Sequence, residues 1–213
     1  MTEAEWLECT NPTFMWWFVE GKTSDRKLRL VACACCRRIW HLLSDERSKA
    51  LVETAENLAD GLVTAEESKR FLRQGSEVDR IPLGIDEYSV ARSALISHSA
   101  VTRAVPSLAA SLVETFGGSR REEAGSQCVV FRDIFGNPFR PAPFNSSWLA
   151  WNGSTIPRLA QAIYDERAFD RLPILADALE DAGCDNVDIL SHLRGPGPHV
   201  RGCFVLDLLL GKE

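Results

Sequence analysis

Four side chains have the type and the spacing to hold a metal ion. Cys33 and Cys36 stand three apart in "VACACCRRIWHLL", and His199 and Cys203 stand four apart in "GPGPHVRGCFVLDLLL". Residues three or four apart share one face of a helix. Two crossing helices would therefore gather Cys33, Cys36, His199 and Cys203 into a three-cysteine, one-histidine set, which suits structural zinc. Arg37, Arg38 and Arg201 lie beside these positions and would favour thiolates. The competing reading is packing: cysteine serves often as a small buried hydrophobe, and "ACACC" gives a neighbouring helix a smooth surface. Only one Cys-x-x-Cys pair is present, so packing is the favoured expectation, and zinc the one cofactor the residues allow.

The other chemistry-bearing groups are weaker. Gly197, His199 and Arg201 precede an expected last helix, where free amides and a cation would make an anion site; a rigid turn explains the same residues. Asp165, Glu166, Asp170, Asp177, Glu180 and Asp181 read as a solvated face paired with Arg167 and Arg171. Ser97-His98-Ser99 has no nucleophile elbow around it, so no catalytic set is expected. In "FMWWFV", Trp16 and Trp17 cannot face the same way. They and Trp151 are candidate anchors for a protein partner.

Helix punctuation surrounds these groups. Asn11-Pro12 reads as an N-cap followed by proline at the first helical position, with Gly21 as the stop. Ser24 caps a helix expected through Leu43, and Ser44-Asp45-Glu46 opens another that ends at Gly61. Thr64 with Glu67 and Ser119 with Glu122 are capping boxes. Further helices are expected over 157–169, on the Leu172/Leu175/Leu179/Ala182 stripe, over 187–193 and over 199–210. Residues 135–154 read as an ordered loop rich in proline and aromatics. The fold expected is mainly α, an irregular multi-helix bundle with that long loop and little or no sheet. Residues 1–74 would form one helical unit and 75–213 a second, packed as one globular body.

The strings "MTEAEWLECT", "DRKLRLVACACCRRIWHLL", "VFRDIFGNPFRP", "LAQAIYDERAFDRLPILADALEDAGC" and "LRGPGPHVRGCFVLDLLLGKE" together resemble an uncharacterised family of bacterial proteins. The resemblance implies no particular activity, cofactor or catalytic residue.

Composition bounds what remains. The chain has 213 residues, 25% of them charged and 45% hydrophobic, and a formal charge of −6, which disfavours a nucleic-acid partner. "MTEAEWLEC" lacks the basic and apolar regions of a signal peptide, and no apolar run nears the ~20 residues of a membrane span. The expectation is a cytoplasmic, non-catalytic helical module that binds or scaffolds another protein. The alternatives are an enzyme or small-ligand binder with a cleft near His199 and Arg201, and a structural zinc module.

Overall fold

Helix ends fall where short polar side chains can take up the first free amides. In the computed structural model, which describes residues 1–76, 87–96 and 102–212, Asn11 Oδ1 accepts from Thr13 N at 3.0 Å and opens the Pro12–Val19 helix. Ser24 Oγ accepts from Lys27 N at 3.3 Å and opens Asp25–Arg38. The Thr64/Glu67 box closes in both directions, at 2.8 and 3.2 Å, ahead of Ala65–Ser76. Ser119 Oγ accepts from Glu122 N at 3.2 Å, opening Arg120–Phe135. Each of these caps satisfies a donor that would otherwise be orphaned. The fold is all-α, with no strand among the described residues.

Several boundaries differ from expectation. The Asp25–Arg38 helix stops at Ile39 and gives way to a 3₁₀ turn over Trp40–Leu42, short of the expected Leu43. The Glu46–Ala59 helix, by contrast, opens within Ser44-Asp45-Glu46 as expected, with Asp45 accepting from Arg47 N at 2.9 Å. The 135–154 stretch contains one short helix, Ser147–Ala150. The largest departure is at the end of the chain: the last helix is Phe204–Leu210 and does not begin at His199.

The chain forms two compact units. One holds Met1 and Glu8–Phe131; the other holds Thr2–Leu7 and Arg132–Glu213. The 74/75 boundary of the sequence reading falls inside the first of these, beside residues 77–86, which lie outside the described residues, as does Ser97-His98-Ser99.

In the first unit the Asp25–Arg38 helix packs against Glu46–Ala59, Glu87–Leu95 and Val105–Thr115. Its small side chains explain why three neighbours can approach it: Ala32, Cys33, Ala34, Cys35 and Cys36 are all buried. Arg37 and Arg38 leave this surface through bidentate pairs, Arg37 with Glu56 at 3.0 and 2.7 Å and Arg38 with Glu123 at 2.9 Å on both oxygens. Trp16 is fully buried and meets Phe131 edge-on, their centroids 6.1 Å apart.

In the second unit, Ile156, Ala160 and Ile163 of the Thr155–Glu166 helix meet Leu172, Leu175 and Leu179 of Leu172–Asp181. Ile189 and Leu193 of Val187–Arg194 and Val205, Leu206 and Leu209 of the last helix complete this core. Trp6 joins residues 2–7 to it: its Nε1 donates to the Gly136 carbonyl at 3.0 Å, and its own carbonyl accepts from Arg132 at 3.1 and 3.2 Å. The acidic residues behave as a solvated, paired face. Arg194 bridges Asp177 and Glu180, and Arg171 pairs with Glu166. No helix among the described residues is long and apolar enough to cross a membrane.

Candidate metal centre

Asp133 sits near the end of the Arg120–Phe135 helix, next to Arg132 in the run "CVVFRDIF". It is 3% exposed, and a buried carboxylate must find partners. Three arrive from the other end of the second unit. Val200 N donates to Oδ2 at 2.9 Å, His199 Nδ1 lies 2.8 Å from Oδ1, and His192 Nε2 lies 3.1 Å from the same oxygen. Cys203 Sγ then stands 3.2 Å from His192 Nε2. One oxygen, two nitrogens and one sulfur thus lie within 4.8 Å of one another.

Local structure explains this convergence. His192 projects from the Val187–Arg194 helix, which Asn186 caps through a 2.9 Å bond from Ile189 N. The chain then turns back through Gly195–Gly202. Gly197 takes φ +77°, and a Cβ there would come within 2.8 Å of His199 N, so the turn needs glycine. Phe204 covers His192, with ring centroids 4.5 Å apart. Gly136, at φ +62°, admits that ring: a Cβ would stand 3.1 Å from it.

The hydrogen-bond partners constrain where the hydrogens sit. The Gly195 carbonyl, 3.3 Å from His199 Nε2, can only accept, so Nε2 carries hydrogen there. The opposite nitrogen, Nδ1, then faces a carboxylate. A lone pair in that position would be repelled, so Nδ1 carries either a second proton or a metal ion. Burial disfavours the His199 cation, but the hydrogen bond and charge of Asp133 outweigh it and raise the pKa. Burial likewise works to raise that of Asp133, and the two histidines overcome it and hold it below the usual carboxylate range. Burial and the Asp133 charge push the Cys203 thiol far up, so without a cation it stays protonated.

A metal ion would satisfy all of these at once. The donor set suits a transition metal, and a backbone carbonyl on the far nitrogen of a ligating histidine is a usual supporting contact. Tetrahedral bonds of about 2.0–2.3 Å put ligand atoms roughly 3.3–3.8 Å apart. The three hydrogen-bonded separations of 2.8 to 3.2 Å would open by about half an ångström, and a pair at the 4.8 Å limit of the cluster would close by about one.

The same residues do not form a cysteine-protease-like triad. A triad uses both nitrogens of its histidine, one for the nucleophile and the other for the acid. Here Cys203 and Asp133 both meet His192 Nε2, and Cys203 is fully buried.

Of the four ligands expected from spacing, His199 and Cys203 are in this cluster, brought there by a turn and not by a shared helical face. No local spacing relates Asp133 or His192 to the other two ligands. The available signal is a charged pair, Arg132 and Asp133, set between apolar residues, and a histidine beside Ile189, Leu190 and Leu193. Cys33 and Cys36 belong to the first unit, where Cys33 Sγ donates to the Val52 carbonyl at 3.9 Å. Burial, with Glu56 nearby, pushes both thiols up, Cys36 to about 12. They pack as small hydrophobes, so Cys33→Ser should cost about 1–3 kcal/mol in urea unfolding by burying a hydroxyl, without changing bound metal.

The anion-site residues are engaged otherwise. The Val200 amide meets the chain's own Asp133, and the Arg201 guanidinium lies 5.3 Å from the Tyr164 ring centroid. Among the partner-binding candidates, Trp16 is core, Trp151 packs against the second unit's core, and Trp17 is 56% exposed. Comparison with known proteins finds no family model, no curated protein and no solved structure that matches this chain.

Proposed function

We propose that the second unit is a structural zinc module, with Asp133, His192, His199 and Cys203 as its four ligands. The observation that carries this reading is the convergence of one oxygen, two nitrogens and one sulfur from separate stretches of chain onto a buried point. Zinc takes these three donor types and closes a structural site with four of them. With no coordination position left open, the ion's work is mechanical. It clamps the end of the Arg120–Phe135 helix to the Val187–Arg194 helix and to the turn before Phe204.

The test is elemental analysis of the purified, untagged chain after exhaustive dialysis. One zinc per chain, falling to near zero in the His192→Ala variant, supports the reading. A metal-free chain that also fails to take up added zinc refutes it.

A second reading concerns the first unit. Phe14 and Trp17 are 52% and 56% exposed, with ring centroids 5.8 Å apart, a pair of aromatics held at the surface of the Pro12–Val19 helix. Exposed aromatics of this kind are what a protein partner uses as anchors. This supports a binding or scaffold role alongside the zinc, and crosslinking through a photoreactive residue at position 17 would test it. A Trp17-dependent crosslink to one cellular protein supports that role; none above the level of a remote control position argues against it.

A further inference from the structure

The first unit contains a cavity of about 650 Å³, on the scale of a small-molecule site. Three helices present their amino ends to it. Thr13 comes from Pro12–Val19, Ser107 from Val105–Thr115, and Arg120 and Arg121 from Arg120–Phe135. Thr13 N and Glu122 N are taken by Asn11 Oδ1 and Ser119 Oγ, so these helices contribute chiefly the positive end of their dipoles. Arg120 and Arg121 add two guanidinium groups. Arg120 is held by Ser107 Oγ at 3.2 Å, and lies 3.8 Å from Glu114, the one acidic residue of the lining. Arg121 is exposed and makes no ion pair among the described residues. The lining is thus built to attract an oxyanion.

A second feature in the same wall points to the rest of the ligand. Gln127 is fully buried and lines the cavity. Its Nε2 donates to the Pro106 carbonyl at 3.0 Å and to Glu123 Oε1 at 3.2 Å. Those two acceptors fix the orientation of the amide, since a flipped group would set oxygen against oxygen. Its Oε1 is left with no hydrogen-bond partner among the described residues. A buried acceptor without a partner is costly, and a ligand that brings a donor recovers that loss. The nearby Glu123 does not repel an anion as a free carboxylate would, because Arg38 holds both of its oxygens.

We infer that this cavity binds a small hydroxylated phosphate monoester. The phosphate sits by Arg120, Arg121 and the helix ends, and a hydroxyl donates to Gln127 Oε1. Phosphate is favoured over carboxylate because a monoester carries close to two charges at neutral pH, matching two guanidinium groups. This inference concerns the first unit and does not depend on the zinc reading.

Isothermal titration calorimetry of the full chain tests it, with glycerol 1-phosphate and inorganic phosphate as probes at constant ionic strength. Saturable binding of the ester, about tenfold tighter than inorganic phosphate, is expected, because only the ester supplies a donor to Gln127. Arg121→Ala, a surface change that leaves the melting temperature in place, should weaken both probes about tenfold. Gln127→Leu should abolish the preference for the ester while inorganic phosphate still binds. Absence of saturable heat from either probe, or unchanged affinities in Arg121→Ala, overturns the proposal. Equal affinities for the two probes overturn the assignment of Gln127.

Discussion

If the second unit holds the proposed zinc, a chelator should lower the melting temperature of that unit by more than about 10 °C, and one equivalent of zinc should restore it. The magnitude follows from two limits. Zinc in the smallest fingers contributes about 10–16 kcal/mol because those peptides have no core without it. Here the second unit keeps an apolar core of its own, from Ile156 and Leu175 through Leu206, so the metal-free unit stays folded and the effect is smaller. A ligand present at 100 to 1,000 times its dissociation constant stabilises by about 2.7–4.1 kcal/mol. For a domain under about 100 residues each kcal/mol moves the midpoint by roughly 4–8 °C. Cys203→Ser should reproduce the chelated melting temperature and respond little to added zinc. Differential scanning calorimetry with and without chelator reads both. A midpoint that does not move on chelation, in a chain from which zinc has demonstrably been removed, would mean that the cluster is held by its own hydrogen bonds.

Trp6→Ala destabilises the second unit by about 3–5 kcal/mol, the range for truncating a fully buried large aromatic. Trp6 has no solvent exposure, its indole nitrogen serves the Gly136 carbonyl, and its ring meets Phe135 edge-on at 6.4 Å. The alanine variant leaves a cavity and orphans that carbonyl. Residues 2–7 then depend on Glu3, which meets Asn137 and Arg140, and on the residue-6 carbonyl, which accepts from Arg132. Trp17→Ala is the matched control: the same residue type, more than half exposed, should cost within about 0.5 kcal/mol. Urea unfolding followed by circular dichroism separates the two. Equal losses at both positions would contradict the burial pattern.

Helices were legible where their ends are decided by near neighbours. Asn11, Ser24, Thr64 and Ser119 cap the helices expected of them, because each bond joins atoms only two or three residues apart. Positive-φ glycines end several of them, Gly21, Gly61, Gly183 and Gly211 among them. The last helix departs from its local pattern for the opposite reason. Residues 199–203 would accept helical φ and ψ on local grounds, but Asp133, 67 residues before Val200, takes the Val200 amide and holds the turn open. The metal cluster shows the same limit. Spacing brought His199 and Cys203 to notice, since they are four apart in sequence. Asp133 and His199 are 66 apart, and no periodicity relates them. "ACACC" drew attention through its density of thiols, yet density alone does not separate ligands from packing. Burial on all sides of the Asp25–Arg38 helix does.

X-ray absorption at the zinc edge of the purified chain tests the assignment most directly, because it counts the sulfur atoms bound to the metal. With Asp133, His192, His199 and Cys203 as ligands, the first shell contains one sulfur at about 2.3 Å and three lighter atoms at about 2.0–2.2 Å. A shell with three sulfurs would contradict this ligand set, and a shell without sulfur would remove Cys203 from the site.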